Sequence, residues 1–239
     1  MKMGKVRDYF KRKLRRHGHS GHDASVNPCC EELEVNNWMI SEFVVYDLVP
    51  IVGVHPYPVS ELCLMAAAIN GLKPTHLFEW GTNLGKSARI FYETARRFGV
   101  GTKIYSVDLP DDVDHAEHPR TNRGLYVKSI KDITLLLGDG LETSLAICND
   151  LRAKAECSPL FFIDGDHSYE SVRRELDAIV TTVPEANILL HDTFYQSADS
   201  GYNVGPYQAV EDVLATVPHR YRRLSQNLGL PGMTLLYRK

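Results

Sequence analysis

The stretch THLFEWGTNLGKS (75–87) decides the fold. An apolar run broken only by Glu79 ends at Gly81, and four residues later Gly85 opens a stretch, Lys86 to Phe98, with helical spacing. A short apolar run closed by glycine reads as a buried strand that turns into a helix. Glycine at both ends of the turn permits dihedrals other residues avoid and lets a ligand approach the backbone closely.

Four further runs repeat the pattern: KIYSVDL (103–109), ITLLLGD (133–139), PLFFIDGD (159–166) and NILLHDT (187–193). Helical stretches are expected from Ser60 to Asn70, Asn122 to Lys131, Leu141 to Lys154 and Ser168 to Val180. Strands alternating with helices predict right-handed crossovers and an α/β, Rossmann-like, doubly wound sheet. The tail departs from this alternation. After a helix over Pro206 to Val217, Tyr221–Gln226 and Met233–Arg238 flank a Gly- and Pro-containing connection, so the last strand pair is expected to be antiparallel.

With 239 residues, 44% hydrophobic and 24% charged, the chain is neither disordered nor collagenous. The charge is unevenly spread. Residues 1–22 carry +7, which leaves −10 on the rest of a chain whose total is −3. Residues 4–16 are expected to form a basic amphipathic helix, residues 18–28 a linker, and residues 31–50 one or two short helices. Residues 31–57 would act as a mobile cover over a cleft or as a packed brace. The domain division is therefore 1–57, a basic leader with a helical extension, and 58–239, the main domain. No run of eighteen apolar residues and no secretory signal is found, so a cytoplasmic protein is expected. Five cysteines without a C-x-x-C pair suggest reduced thiols, and Cys29 and Cys30 beside His17, His19 and His22 match no zinc spacing.

Ligands of a doubly wound sheet bind outside the carboxyl ends of the strands. The first turn reads G-x-x-x-G, not G-x-G-x-x-G, and Glu79 makes the pocket attractive to a cation and unattractive to pyrophosphate. Asp108, twenty-seven residues after Gly81, stands where an acid accepts hydrogen bonds from ribose hydroxyls. Asp139 is placed to read an adenine amine, or else to shape a turn or cap a helix. A cationic nucleoside is implied.

Glu79-x-Gly81-x-x-x-Gly85-x-Ser87, Asp108, Gly138-Asp139, the run IDGDHSY (163–169) and His191-Asp192-Thr193 together resemble the class I S-adenosylmethionine-dependent methyltransferases. The subgroup resembled is the small-molecule O-methyltransferases with I-D-G-D-H-S-Y after the fourth strand, over residues 58–239. The resemblance implies a seven-stranded sheet, with Glu79, Gly81 and Ser87 around the methionine end, Asp108 on the ribose, Asp139 on the adenine, and Gly85 and Asp164 also on the cofactor. It also implies that Asp164 and Asp192 bind a divalent cation such as Mg²⁺. Relatives carry Asn after the second Asp where this chain has Thr193, which leaves the third ligand open.

Two carboxylates converging on one cleft repel unless a proton or cation neutralises them, and oxygen donors select a hard ion. His167 and His191 flank the same place and are candidate general bases beside Asp164. The expected activity is methyl transfer from S-adenosylmethionine to a hydroxyl of a small acceptor, a sugar or natural-product intermediate. Rival readings are an NAD-dependent oxidoreductase and a catalytically silent nucleoside-binding module. The acidic body argues against a nucleic-acid partner, and a homo-oligomer is left open.

Overall fold

The computed structural model describes residues 30–114, 121–154, 157–200, 202 and 204–238. The five apolar runs form β1 (His76–Trp80), β2 (Lys103–Asp108), β3 (Ile133–Leu137), β4 (Pro159–Ile163) and β5 (Asn187–His191), and the tail forms β6 (Arg222–Gln226) and β7 (Met233–Tyr237). They make one sheet in the order β3-β2-β1-β4-β5-β7-β6. β1 to β5 pair in parallel, and β7 lies antiparallel between β5 and β6.

Alternation along the strands divides the core. Leu77, Phe162, Leu189 and Leu235 face α3 (Val59–Leu72) and α4 (Lys86–Phe98). Phe78, Phe161, Ile188 and Leu236 face α5 (Gly140–Lys154), α6 (Tyr169–Thr182) and α7 (Val204–Thr216). Phe91 of α4 meets Phe162 edge-on, with ring centroids 5.2 Å apart. Truncating either buried ring to alanine costs about 3–5 kcal/mol.

Residues 31–57 divide between the two expected roles. α1 (Asn37–Phe43), capped by Asn36, runs through a π-helical turn (Val44–Leu48) into α2 (Val49–Val52). Ile40, Phe43, Val44, Leu48 and Val52 are buried in the α3–α4 core, so this part is a brace. The loop that follows, residues 53–58, reaches the site.

The helix expected over Asn122 to Lys131 is absent, and successive turns take its place. Gly124 adopts φ +67°. Its N–H bonds Asn83 O at 2.8 Å and that of Tyr126 bonds Leu84 O at 3.0 Å, so these two donors serve the glycine turn of β1–α4, while Leu125, Val127 and Ile130 close turns on the carbonyls of Asn122, Gly124 and Val127 in place of a helical ladder. The expectations for residues 4–16, 18–28 and Cys29 lie outside the described residues.

Candidate active site

A cavity of about 950 Å³ opens at the carboxyl ends of β1, β2, β4 and β5. It straddles β1 and β4, where the strand order reverses, which is where open α/β sheets bind ligands. Residues 54–58 and 230–231 wall it on the side away from the sheet.

The glycine turn fits a close-lying ligand. Gly81 has φ +90°, and a Cβ there would meet the Asp164 carbonyl oxygen at 2.5 Å. Gly85, at φ +80°, precedes α4 with no side-chain cap, which leaves first-turn N–H groups for a ligand. Glu79 is buried; one carboxylate oxygen accepts from the Ser106 hydroxyl at 2.6 Å. The other, Oε2, has no hydrogen-bond partner among the described residues. Burial pushes the Glu79 carboxyl up to about 7. An unsatisfied acidic oxygen beside an uncapped helix start suits a ligand that carries an amine or a positive charge. Ser87, also buried, stands beside Glu79 and holds its carboxyl lower than burial alone would.

Asp108 ends β2 with both oxygens engaged. It accepts from the N–H of Leu109 at 3.0 Å, from that of Asn83 at 3.2 Å and from Arg123 Nε at 3.0 Å. Arg123, which also donates to the Leu109 carbonyl at 2.9 Å, carried no signal in a segment read as helix. Asp139 takes the capping role: it accepts from the Glu142 N–H at 2.9 Å and pairs with Arg174 at 2.8 Å. Trp80 donates its indole N–H to Glu175 at 3.0 Å, and burial pushes the Glu175 carboxyl up to about 8. A Cβ on Gly140 would lie 2.2 Å from that of Trp80, so only glycine lets α5 start so close to β1.

The acidic centre gathers Asp164 after β4, His191 at the end of β5, and Asp192, whose φ of +58° turns the chain as it leaves that strand. Asp164 Oδ1 lies 2.9 Å from His191 Nδ1, and its Oδ2 accepts from the Tyr57 hydroxyl at 2.5 Å. Asp192 Oδ2 lies 3.1 Å from the same His191 nitrogen and 3.0 Å from His167 Nε2. Tyr202 donates to Asp192 Oδ1. The second His191 nitrogen faces Glu61 Oε2 at 3.1 Å. Glu61, buried in the first turn of α3, was not anticipated.

Both His191 nitrogens therefore face carboxylate oxygens. Burial opposes the charged ring, but the negative charge of Asp164 and the hydrogen bonds the ring donates to Asp164, Asp192 and Glu61 outweigh it and push His191 up to about 12. Burial would raise Asp164 as well, yet His191 and His167 hold it well below the usual carboxylate range. Asp192 is lowered for the same reasons, against its burial. His167, with 44% of its side chain exposed, is raised by the Asp164 carboxylate 3.7 Å away and by Asp192 at 3.0 Å, against partial burial.

Asp164, His167 and Asp192 each offer a ligand atom, and the three lie within 4.8 Å of one another. Two carboxylates and an imidazole fit a divalent cation. Thr193 turns away from this centre, with its hydroxyl 2.8 Å from that of Thr234 in the core. His167 thus stands where a third donor was left open.

Sheet order and a strand-end cavity of this kind are those of the class I methyltransferase fold. Residues 78–193 match the family model described as a methyltransferase domain, and the chain is an S-adenosylmethionine-dependent methyltransferase. It is 24% identical over 187 residues to the rhamnosyl O-methyltransferase of Mycobacterium tuberculosis, covering 74% of this chain and 70% of that protein. Among solved structures it is similar to the SAH-bound methyltransferase PaMTH1 of Podospora anserina, with 16% identity, a TM-score of 0.51, and coverage of 100% of this chain and 97% of that one. It is also similar to the O-methyltransferase TomG of Streptomyces achromogenes in complex with SAM, with 16% identity, a TM-score of 0.53, and coverage of 86% and 91%.

Proposed function

We propose that this enzyme methylates a hydroxyl of a small polyhydroxylated acceptor, a sugar or sugar-bearing compound, with help from a divalent cation. The observation that carries this reading is the convergence of Asp164, His167 and Asp192 beside the glycine turn. The likeness to a rhamnosyl O-methyltransferase supports the sugar hydroxyl as acceptor. Charge supports the cation: three carboxylates, Glu61, Asp164 and Asp192, surround one imidazolium, His191, and the surplus is two negative charges.

In this reading Asp164, Asp192 and His167 hold the cation. A divalent cation supplies Lewis acidity that lowers the pKa of an acceptor hydroxyl. The chain itself aligns the two substrates. Glu79, Gly81, Gly85 and Ser87 seat the methionine end of the donor, and Asp108, braced by Arg123, takes the ribose. Asp139, spent on α5 and Arg174, acts on the adenine only by fixing the turn. Tyr57 and Tyr202 orient the carboxylates by donating to them. His191 has no free lone pair and serves as a fixed cation; His167, exposed to the cavity, takes the acceptor proton at Nε2 only where no cation occupies that nitrogen. Holding nucleophile and methyl carbon in line supplies much of the rate.

Residues 58–239 are the methyltransferase domain and residues 1–57 its extension, with cytoplasmic placement. No helix among the described residues is long and apolar enough to cross a membrane. The test is methyl transfer to a panel of free and glycosidic sugars, with and without chelator. S-adenosylhomocysteine is expected to bind where NAD does not, and absence of transfer to every hydroxylated acceptor refutes the reading.

A further inference from the structure

Glu61 sits in the first turn of α3, where a glutamate ordinarily reaches back to the helix cap or out to water. Here it points inward and is 2% exposed. Its Oε1 accepts from the Gly232 N–H at 2.9 Å and its Oε2 faces His191 Nε2 at 3.1 Å, across 171 and 130 residues of sequence. Burying a carboxylate is costly, and an apolar side chain would fill the same space more cheaply. What the carboxylate supplies is an acceptor at a fixed place for one edge of the His191 ring.

That edge determines the other. With Nε2–H directed at Glu61, Nδ1–H is directed between Asp164 at 2.9 Å and Asp192 at 3.1 Å. Tyr57 packs on the ring at 67°, with centroids 4.9 Å apart, and limits its tilt. Groups that orient metal-site side chains from behind commonly decide how well those side chains work.

We propose that Glu61 is the positioning residue of this centre: it anchors the His191 ring to α3 and to the β6–β7 turn, and through that ring fixes the Asp164 and Asp192 carboxylates relative to each other. The assignment rests on the reading of those two aspartates as the pair that works on the acceptor.

Glu61→Gln tests it. The amide oxygen keeps the Gly232 N–H, while the amide NH₂ turns toward Nε2 and requires that nitrogen to accept, so the ring loses its Nε2 hydrogen. In histidine-selectively ¹⁵N-labelled protein, the His191 Nε2 signal is expected to move from the protonated to the unprotonated range. The same variant is expected to lose at least tenfold in kcat, with acceptor KM and S-adenosylhomocysteine Kd within twofold of wild type. An unmoved nitrogen signal, or kcat within twofold, overturns the proposal. If Glu61→Gln does not fold, Glu61→Asp keeps the charge but falls one methylene short of both partners; the same kcat loss supports the proposal and full kcat overturns it. The nitrogen measurement needs no acceptor, so a wild-type enzyme that methylates nothing on the panel refutes the functional reading while His191 still decides Glu61.

Discussion

The Tyr57 hydroxyl donates to Asp164 Oδ2 at 2.5 Å, so a loop that precedes the sheet closes directly on the carboxylate that follows β4. Burial and the neighbouring charge of Asp164 hold the phenol well above its ordinary pKa, which keeps it a donor. Tyr57→Phe retains the edge-on packing against Phe162 and His191 and removes only this bond. It is expected to lower kcat about tenfold, roughly 1.4 kcal/mol of barrier, and to leave S-adenosylhomocysteine affinity within twofold. Steady-state kinetics beside calorimetry checks both.

Asp108→Asn should weaken S-adenosylhomocysteine by roughly 1–3 kcal/mol, because it removes a charged acceptor and leaves Arg123 without its buried partner. Arg123→Ala should show a smaller loss of the same kind. Calorimetry that finds unchanged affinity in folded Asp108→Asn would remove this residue from the donor site.

Chelation is expected to abolish turnover while donor binding persists. Because one of the three donors is an imidazole, Mn²⁺ or Co²⁺ should restore activity at lower concentration than Mg²⁺. His167→Ala should weaken Mn²⁺ binding at least about tenfold, as measured by calorimetry. Full-rate turnover by enzyme verified as metal-free would leave His167 as the base acting alone.

Glu175 yields a stability prediction separate from catalysis. Its carboxyl is raised to about 8 in the fold, against an ordinary value of 4.5, so the folded state holds a proton that the unfolded chain releases. The resulting stabilisation is complete below about pH 4.5, declines as pH rises, and is gone above about pH 8; it amounts to about 5 kcal/mol. Glu175→Gln keeps an acceptor for Trp80 and abolishes this titration. Thermal unfolding at pH 6 and pH 9 should show a smaller difference for the variant than for wild type.

β1, β4 and β5 were legible because each is buried on both faces and reads as an apolar run closed by a polar residue, and the edge strand β3 keeps that pattern although Leu135 and Leu137 are exposed. Strand ends carry the site, so Glu79, Asp108, Asp164 and Asp192 were legible with them. Glu61 was not, since its partners lie far along the chain and its own helix is otherwise apolar. The turns at 121–129 were misread as helix because Gly124 and Tyr126 give their N–H groups to another loop, a use that local periodicity does not register. Asp139 carried two readings in sequence, and the position of Arg174 on a different helix favours the capping one.

The cavity is built from two kinds of material. Strand ends locked between two cores make the half proposed to hold the methyl donor, whereas residues 54–58, Tyr202 and residues 230–231, which belong to no strand, complete the lining. Exchanging those three segments for others of equal length that keep Tyr57 and Tyr202 therefore offers a route to altered acceptor preference in which the sheet, and the affinity for the methyl donor, are inherited unchanged.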